Sequence, residues 1–163
     1  MLRFITFFFL LFSISDYTSA QSSNFYTEAP HAIIMDVTTG EVLFEKDARV
    51  AMSPASMTKI MTAHMVFDAL KDGVIEPDTK YLVSDEAWRR GGVSSGSSTM
   101  FLEAGSSVSV MDLLRGIIIQ SGNDACITVA EGMAGSEEFF ANRMTLKATE
   151  MGLKTANFKN ASG

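Results

Sequence analysis

The sequence predicts an α+β domain in which a cluster of helices outweighs a small antiparallel sheet. Three observations point there. Two β-rich runs near the start, HAIIMDV (31–37) and EVLFE (41–45), are separated by Thr38-Thr39-Gly40, which reads as a hairpin with glycine at the strained turn position. Beyond residue 52 the chain turns to apolar stretches of helical length, most of them opened by Ser, Asp or Pro and closed by glycine or a polar turn. With 163 residues, 47% apolar and 20% charged, 12 Gly and 3 Pro, the chain suits one globular core and argues against disorder, collagen-like repeats and coiled coils.

The elements follow in order. Ser53-Pro54 is expected to cap a helix with proline at its first position, and residues 57–70 continue it until Asp72-Gly73. This helix is apolar nearly all round, through Ile60, Met61, Met65, Val66, Phe67 and Leu70, which predicts a central, buried place for it. Residues 76–78 read as a loop and 81–83 as a short strand. Ser84-Asp85-Glu86 caps a brief helix through Trp88, and residues 91–98 form a Gly/Ser-rich loop. Ser109 and Asp112 fit a capping box that opens a helix ending near Ile119. Residues 120–123 are a polar turn and 124–132 another helix. Ser136 caps a last one, which stops at Met151-Gly152.

Charge and rare residues narrow the chemistry. A net charge of −6 offers no clustered basic face, so a nucleic-acid partner is not expected. The single cysteine, Cys126, excludes an intramolecular disulfide and a Cys-based structural zinc site, and its apolar helix makes it a small core residue. His31 and His64 are the only histidines. Neither joins carboxylates at metal-ligand spacing, so no metal or cofactor is expected and a Ser-His-Asp triad is disfavoured. The 11 methionines read as core filler, and Glu137-Glu138 at a helix N-terminus needs no role beyond the helix dipole. At the other end, MLRFITFFFLLFSISDYTSA has one basic residue, an apolar run over 4–12 and a polar stretch ending Thr18-Ser19-Ala20. That is the layout of a secretory signal peptide cleaved after Ala20. Its apolar run falls well short of the ~20 residues a membrane span needs.

The chemical centre lies in PASMTKIMT (54–62), where Ser56 and Lys59 sit three apart and so share a face. Serine becomes a nucleophile when a base takes its proton. A lysine amine can be that base where burial lowers its pKa, and an apolar helix supplies the burial. The free N–H groups of the first turn, that of Ser56 among them, can stabilise an oxyanion. The pattern alone is weak, because 18 serines and 7 lysines in 163 residues give about 0.8 Ser-x-x-Lys pairs by chance. A second feature, Ser121-Gly122-Asn123, places a hydroxyl and an amide in a turn between two apolar helices. They can relay a proton and bind a substrate amide; taken singly, the turn reads first as an Asn123 N-cap with two bystanders.

Together, PASMTKIMT, QSGNDAC (120–126) 65 residues on, and GSSTMFLEAG (96–105) between them closely resemble the serine-type D-alanyl-D-alanine carboxypeptidases, the low-molecular-mass penicillin-binding proteins. The resemblance runs from about Ala29 to Gly163. It implies the penicilloyl-serine transferase fold, a helical cluster against a five-stranded antiparallel sheet. By similarity Ser56 is the acylated nucleophile, Lys59 the general base, Ser121 a proton shuttle and Asn123 a substrate-binding residue. The implied substrates are peptidoglycan stem peptides ending in D-Ala-D-Ala, with β-lactams as covalent inhibitors, in cell-wall biosynthesis and remodelling. Leader and resemblance together imply a periplasmic protein at the outer face of the inner membrane, with any membrane attachment in parts this chain lacks.

One departure is serious. The family's third motif, Lys-Thr-Gly on a strand lining the cleft, has no counterpart here. Lys154-Thr155-Ala156 follows a helix stop, lies 33 residues after Ser121 and lacks the glycine that lets substrate approach a strand. The expectation is therefore a signal peptide over 1–20 and an incomplete catalytic domain over 21–163, inactive by itself and with an aggregation-prone hairpin edge. A β-lactamase is the nearest alternative, but no glutamate follows the second motif at a place suited to deacylation. A non-catalytic wall-binding module with the same fold is the other.

Overall fold

The computed structural model describes residues 25–163, so the signal peptide and its cleavage after Ala20 lie outside the described residues. Two compact units emerge, one ending at Ala51 and one spanning Met52–Gly163.

In the first unit β1 (Ala32–Met35) pairs antiparallel with β2 (Val42–Lys46), with a register shift between Ile34 and Met35. The expected hairpin is present. Gly40 takes φ +76°, a conformation side chains avoid, and Asp36 Oδ1 accepts from the N–H groups of Thr38 (2.7 Å) and Thr39 (3.0 Å) to close the turn. Ile33, Met35, Val37 and Leu43 are all exposed.

The second unit contains α1 (Thr58–Lys71), β3 (Lys80–Leu82), α2 (Asp85–Gly91), β4 (Ser107–Ser109), α3 (Val110–Gln120), α4 (Asn123–Ala134) and α5 (Glu137–Glu150). Three of these helices start where a serine side chain takes an orphan N–H: Ser84 accepts from Ala87, Ser109 from Asp112 and Ser136 from Phe139. Gly152, at φ +86°, ends α5 as expected. β3 finds its partner in β4, with Tyr81 opposite Val108; three residues of Ser-Val-Ser are too short to announce a strand.

The central helix is α4, not α1. Every residue from Asp124 to Ala130 is buried, and α4 packs against α1, α2, α3 and α5. Small residues explain the closeness: a Cβ on Gly91 of α2 would meet the Asp124 backbone at 2.3 Å, and one on Gly132 would strike the Tyr81 ring. Helix α1 buries one face, through Met61, Ala63, Met65 and Val66, while Ile60 stands 72% and Phe67 49% exposed. The core beneath is built from Val66, Leu113, Val129, Phe140 and Met144. Among the described residues no helix is long and apolar enough to cross a membrane.

Candidate active site

The chain does not run smoothly into α1. A helix capped by Ser53 was expected from Pro54 onward. Instead residues Ala55–Met57 form a 3-10 turn without a side-chain cap, and the α-helix starts at Thr58. The cause lies at Ala55, whose φ of +47° is left-handed for a residue with a Cβ, a strain on the order of 1–2 kcal/mol. This kink leaves Ser56 exposed at the lip while Lys59, one turn on, is 6% exposed. Because residues three apart nearly eclipse across such a turn, Lys59 Nζ reaches Ser56 Oγ and donates to it at 3.2 Å. Its second contact is donation to the Ser162 carbonyl at 2.9 Å. The Ser56 N–H has no hydrogen-bond partner among the described residues and remains available to an oxyanion.

Burial holds the Lys59 ammonium below the ordinary lysine value of 10.5, because it has exchanged water for protein. Burial pushes the neighbouring Cys126 thiol up to about 12, so it stays protonated near neutral pH. Fully buried in α4, Cys126 is the core residue expected of it.

Ser121 ends α3 in a left-handed conformation (φ +54°), and Asn123 is the first residue of α4. The N-cap of α4 is Gly122, so Asn123 does not cap; its N–H donates to the Ser98 carbonyl at 2.8 Å. No hydrogen bond joins the Ser121 hydroxyl or the Asn123 amide to Ser56 or Lys59 among the described residues. The structure thus brings Ser56 and Lys59 into contact and sets Ser121 and Asn123 at the ends of two helices that pack on α1. Between α1 and α3 runs an open groove of about 460 Å³, lined by Ser56, Lys59, Ile60, Phe67, Ile117 and Ile118 among others. His64 also borders it but lies 3.5 Å from Asp68, with no bond to Ser56. Lys154 and Thr155 sit in an exposed turn after α5, not on a strand.

Two carboxylates matter more than the sequence indicated. Asp124 is fully buried and accepts four hydrogen bonds, from Met100 N (3.0 Å) and Ala125 N (2.9 Å) at Oδ1, and from Thr99 Oγ1 (2.6 Å) and Leu102 N (3.0 Å) at Oδ2. It ties residues 99–102 to the second-motif turn. The only sequence signal is an acid in the first turn of an apolar helix, which the helix dipole already explains. Glu137, expected to serve the dipole alone, also accepts from Ala161 N at 3.0 Å and pairs with Arg90 at 2.9 Å.

Residues 17–163 match the D-alanyl-D-alanine carboxypeptidase family, Peptidase_S11. The chain is 42% identical over 143 residues to the D-alanyl-D-alanine carboxypeptidase DacF of Bacillus subtilis, covering 88% of this chain and 36% of that one. A crystal structure of the D-alanyl-D-alanine carboxypeptidase DacD from Francisella tularensis superposes with a TM-score of 0.78 at 36% identity, over 88% of this chain and 34% of that one. Penicillin-binding protein D2 from Listeria monocytogenes, in its ampicillin-bound form, superposes with a TM-score of 0.67 at 28% identity, over 86% and 54%. The chain therefore spans about a third to a half of the length of these relatives. On the family match and these superpositions, the chain has the penicilloyl-serine transferase fold and belongs to the D-alanyl-D-alanine carboxypeptidase family.

Proposed function

We propose that the protein is a serine-type carboxypeptidase that removes the terminal D-Ala from peptidoglycan stem peptides, with Ser56 as nucleophile and Lys59 as base. The observation that carries this is the pairing of an exposed serine with a buried lysine at 3.2 Å. In the first half-reaction Ser56 Oγ bonds to the carbonyl carbon of the penultimate D-Ala while its proton passes to Lys59 Nζ. The carbonyl oxygen, now negative, lies near the Ser56 N–H. Collapse of this intermediate breaks the C–N bond, a proton returns through Ser121 to the leaving amine, and D-Ala departs from an acyl-serine ester. Asn123 holds the substrate amide. Water then attacks the ester, loses its proton to the same base, and frees Ser56. A β-lactam follows the first steps, but its leaving amine stays tethered to the acyl group; the Listeria relative in its ampicillin-bound form supports β-lactam binding by this fold.

Release of D-Ala from a peptide ending in D-Ala-D-Ala, measured on the full-length protein, tests the proposal: turnover lost in Ser56→Ala supports it, and turnover retained refutes it. Rapid hydrolysis of a penicillin with no D-Ala release would show a β-lactamase instead. Acylation should also rise with pH and level off above a midpoint lower than the ordinary lysine value, since only the neutral amine accepts a proton and burial favours that form. A rate flat across that range, with the fold intact, counts against Lys59 as base. We propose further that residues 1–20 direct export to the periplasm. A mature N-terminus at Gln21 in protein recovered from a bacterial host is the expected result, and intact Met1-containing chain in the membrane fraction the contrary one.

A further inference from the structure

Lys59 is bonded on two sides, and the side away from Ser56 is held by a chain of contacts. Residues 160–163 run beside the 3-10 turn before α1, so close that a Cβ on Gly163 would lie 1.8 Å from the Ala55 carbonyl oxygen. The Asn160 side chain curls this segment by accepting from the N–H groups of Ser162 (3.0 Å) and Gly163 (2.6 Å). Ala161, fully buried, is gripped from two helices: Thr62 Oγ1 of α1 donates to its carbonyl at 2.7 Å, and its own N–H donates to Glu137 Oε1 of α5 at 3.0 Å. The other oxygen of Glu137 pairs with Arg90 of α2 at 2.9 Å. Next along the chain, the Ser162 carbonyl receives Lys59 Nζ at 2.9 Å.

We propose that Glu137 is a positioning residue for the reaction: by fixing Ala161 it places the Ser162 carbonyl so that it takes one N–H of Lys59 and keeps the amine lone pair turned from that carbonyl, free to meet Ser56. The reasoning is an inventory of donors and acceptors. A neutral lysine amine has two N–H groups and one lone pair and spins about its last bond. The Ser56 hydroxyl can donate or accept, so it does not choose among the rotamers, whereas a carbonyl only accepts. A carbonyl held at hydrogen-bond distance therefore excludes the orientation in which the lone pair faces that carbonyl, and keeps the lone pair among the two positions that remain, one of which meets the serine. After proton transfer it also stabilises the ammonium that has formed. Glu137 divides its work between its oxygens, one for Ala161 and one for Arg90, so a glutamine can keep the first bond while giving up the charge.

The inference rests on Lys59 being the base, and its test separates the two ideas by using two readouts on the full-length protein. The first is NMR titration of the Lys59 side chain, labelled at Cε; the second is the pH profile of Ser56 acylation by a fluorescent penicillin. The other titratable groups about Lys59 are the protonated Cys126 thiol of α4 and His64 one turn along α1, itself beside Asp68; Ile117 and Ile118 of α3 carry no charge. Glu137→Ala should lower the Lys59 midpoint, because its ammonium loses the carbonyl, and should lower the acylation plateau on the order of tenfold, the rate equivalent of one hydrogen bond. Glu137→Gln should leave both near wild type. A purely structural role would reduce the active fraction and leave the midpoint in place. If Glu137→Ala does not fold, Thr62→Val, which frees the same alanine from the other side, should show the same downward shift. An unmoved Lys59 midpoint in Glu137→Ala, or an equal shift in Glu137→Gln, which charge loss alone would give, overturns the inference. Absence of Ser56 labelling in the wild type overturns the proposed function and with it the role of Glu137 in the reaction; a Lys59 midpoint still moved by Glu137→Ala would then show only that Glu137 supports the Lys59 ammonium through Ala161 and Ser162.

Discussion

Lys59→Arg is expected to slow acylation of Ser56 by about two to four orders of magnitude, the range that a positioned general base contributes. A guanidinium keeps its proton at any pH at which the protein is folded, so it cannot accept the one Ser56 must lose. Position adds to the loss. Lys59 is buried and bonded at 3.2 Å to Ser56 and 2.9 Å to Ser162, and a planar fork does not fit two acceptors arranged for an amine. Lys59→Met removes the charge and keeps most of the volume, so it separates loss of the base from loss of packing. Labelling by a fluorescent penicillin, followed over time in the full-length protein, measures all three. Equal, severe slowing in both variants is the expected pattern; an arginine variant retaining more than about a tenth of the rate would remove Lys59 from the mechanism.

The largest expected effect on stability comes from Asp124→Ala. Four donors converge on this carboxylate, three of them from residues 99–102, and alanine strands them in a site closed to water. Removing one side of a buried, charged hydrogen-bond set costs about 3–5 kcal/mol, a large share of the ~5–15 kcal/mol that holds a domain together. Urea denaturation should show a much lower midpoint for Asp124→Ala. Asp124→Asn, which keeps an oxygen for some of these donors, should fall between it and the wild type. A wild-type midpoint in the alanine variant would mean that residues 99–102 do not depend on Asp124.

Much of this architecture was legible because it rests on local chemistry. Ser84, Ser109 and Ser136 each cap within three residues of themselves, and the Gly40 and Gly152 conformations are demanded by their own turns. Ser56 and Lys59 were readable for the same reason: three residues along one turn cannot be far apart. What escaped was long-range. Apolar composition marked α1 as a helix that packs but not which faces are covered, so it was given the central place that the small residues of α4 earn. The Ala55 kink accompanies the close pass of Gly163, and the Ser162 carbonyl meets Lys59 from 103 residues away. Glu137 looked complete as a helix-dipole residue, because its partners Arg90 and Ala161 lie on other segments. The second motif is intermediate: its residues were identified, yet their hydroxyl and amide make no bond to the Ser56–Lys59 pair.

The central claim is that Ser56 is the nucleophile, and the most direct measurement is to locate the covalent adduct. The full-length protein, treated with a penicillin and digested with trypsin, should carry the added mass on the peptide containing Ser56, with fragmentation placing it on that side chain. Ser56→Ala should take up none. A penicilloyl group on Ser53 or Ser121, or undiminished labelling of Ser56→Ala, would contradict the account.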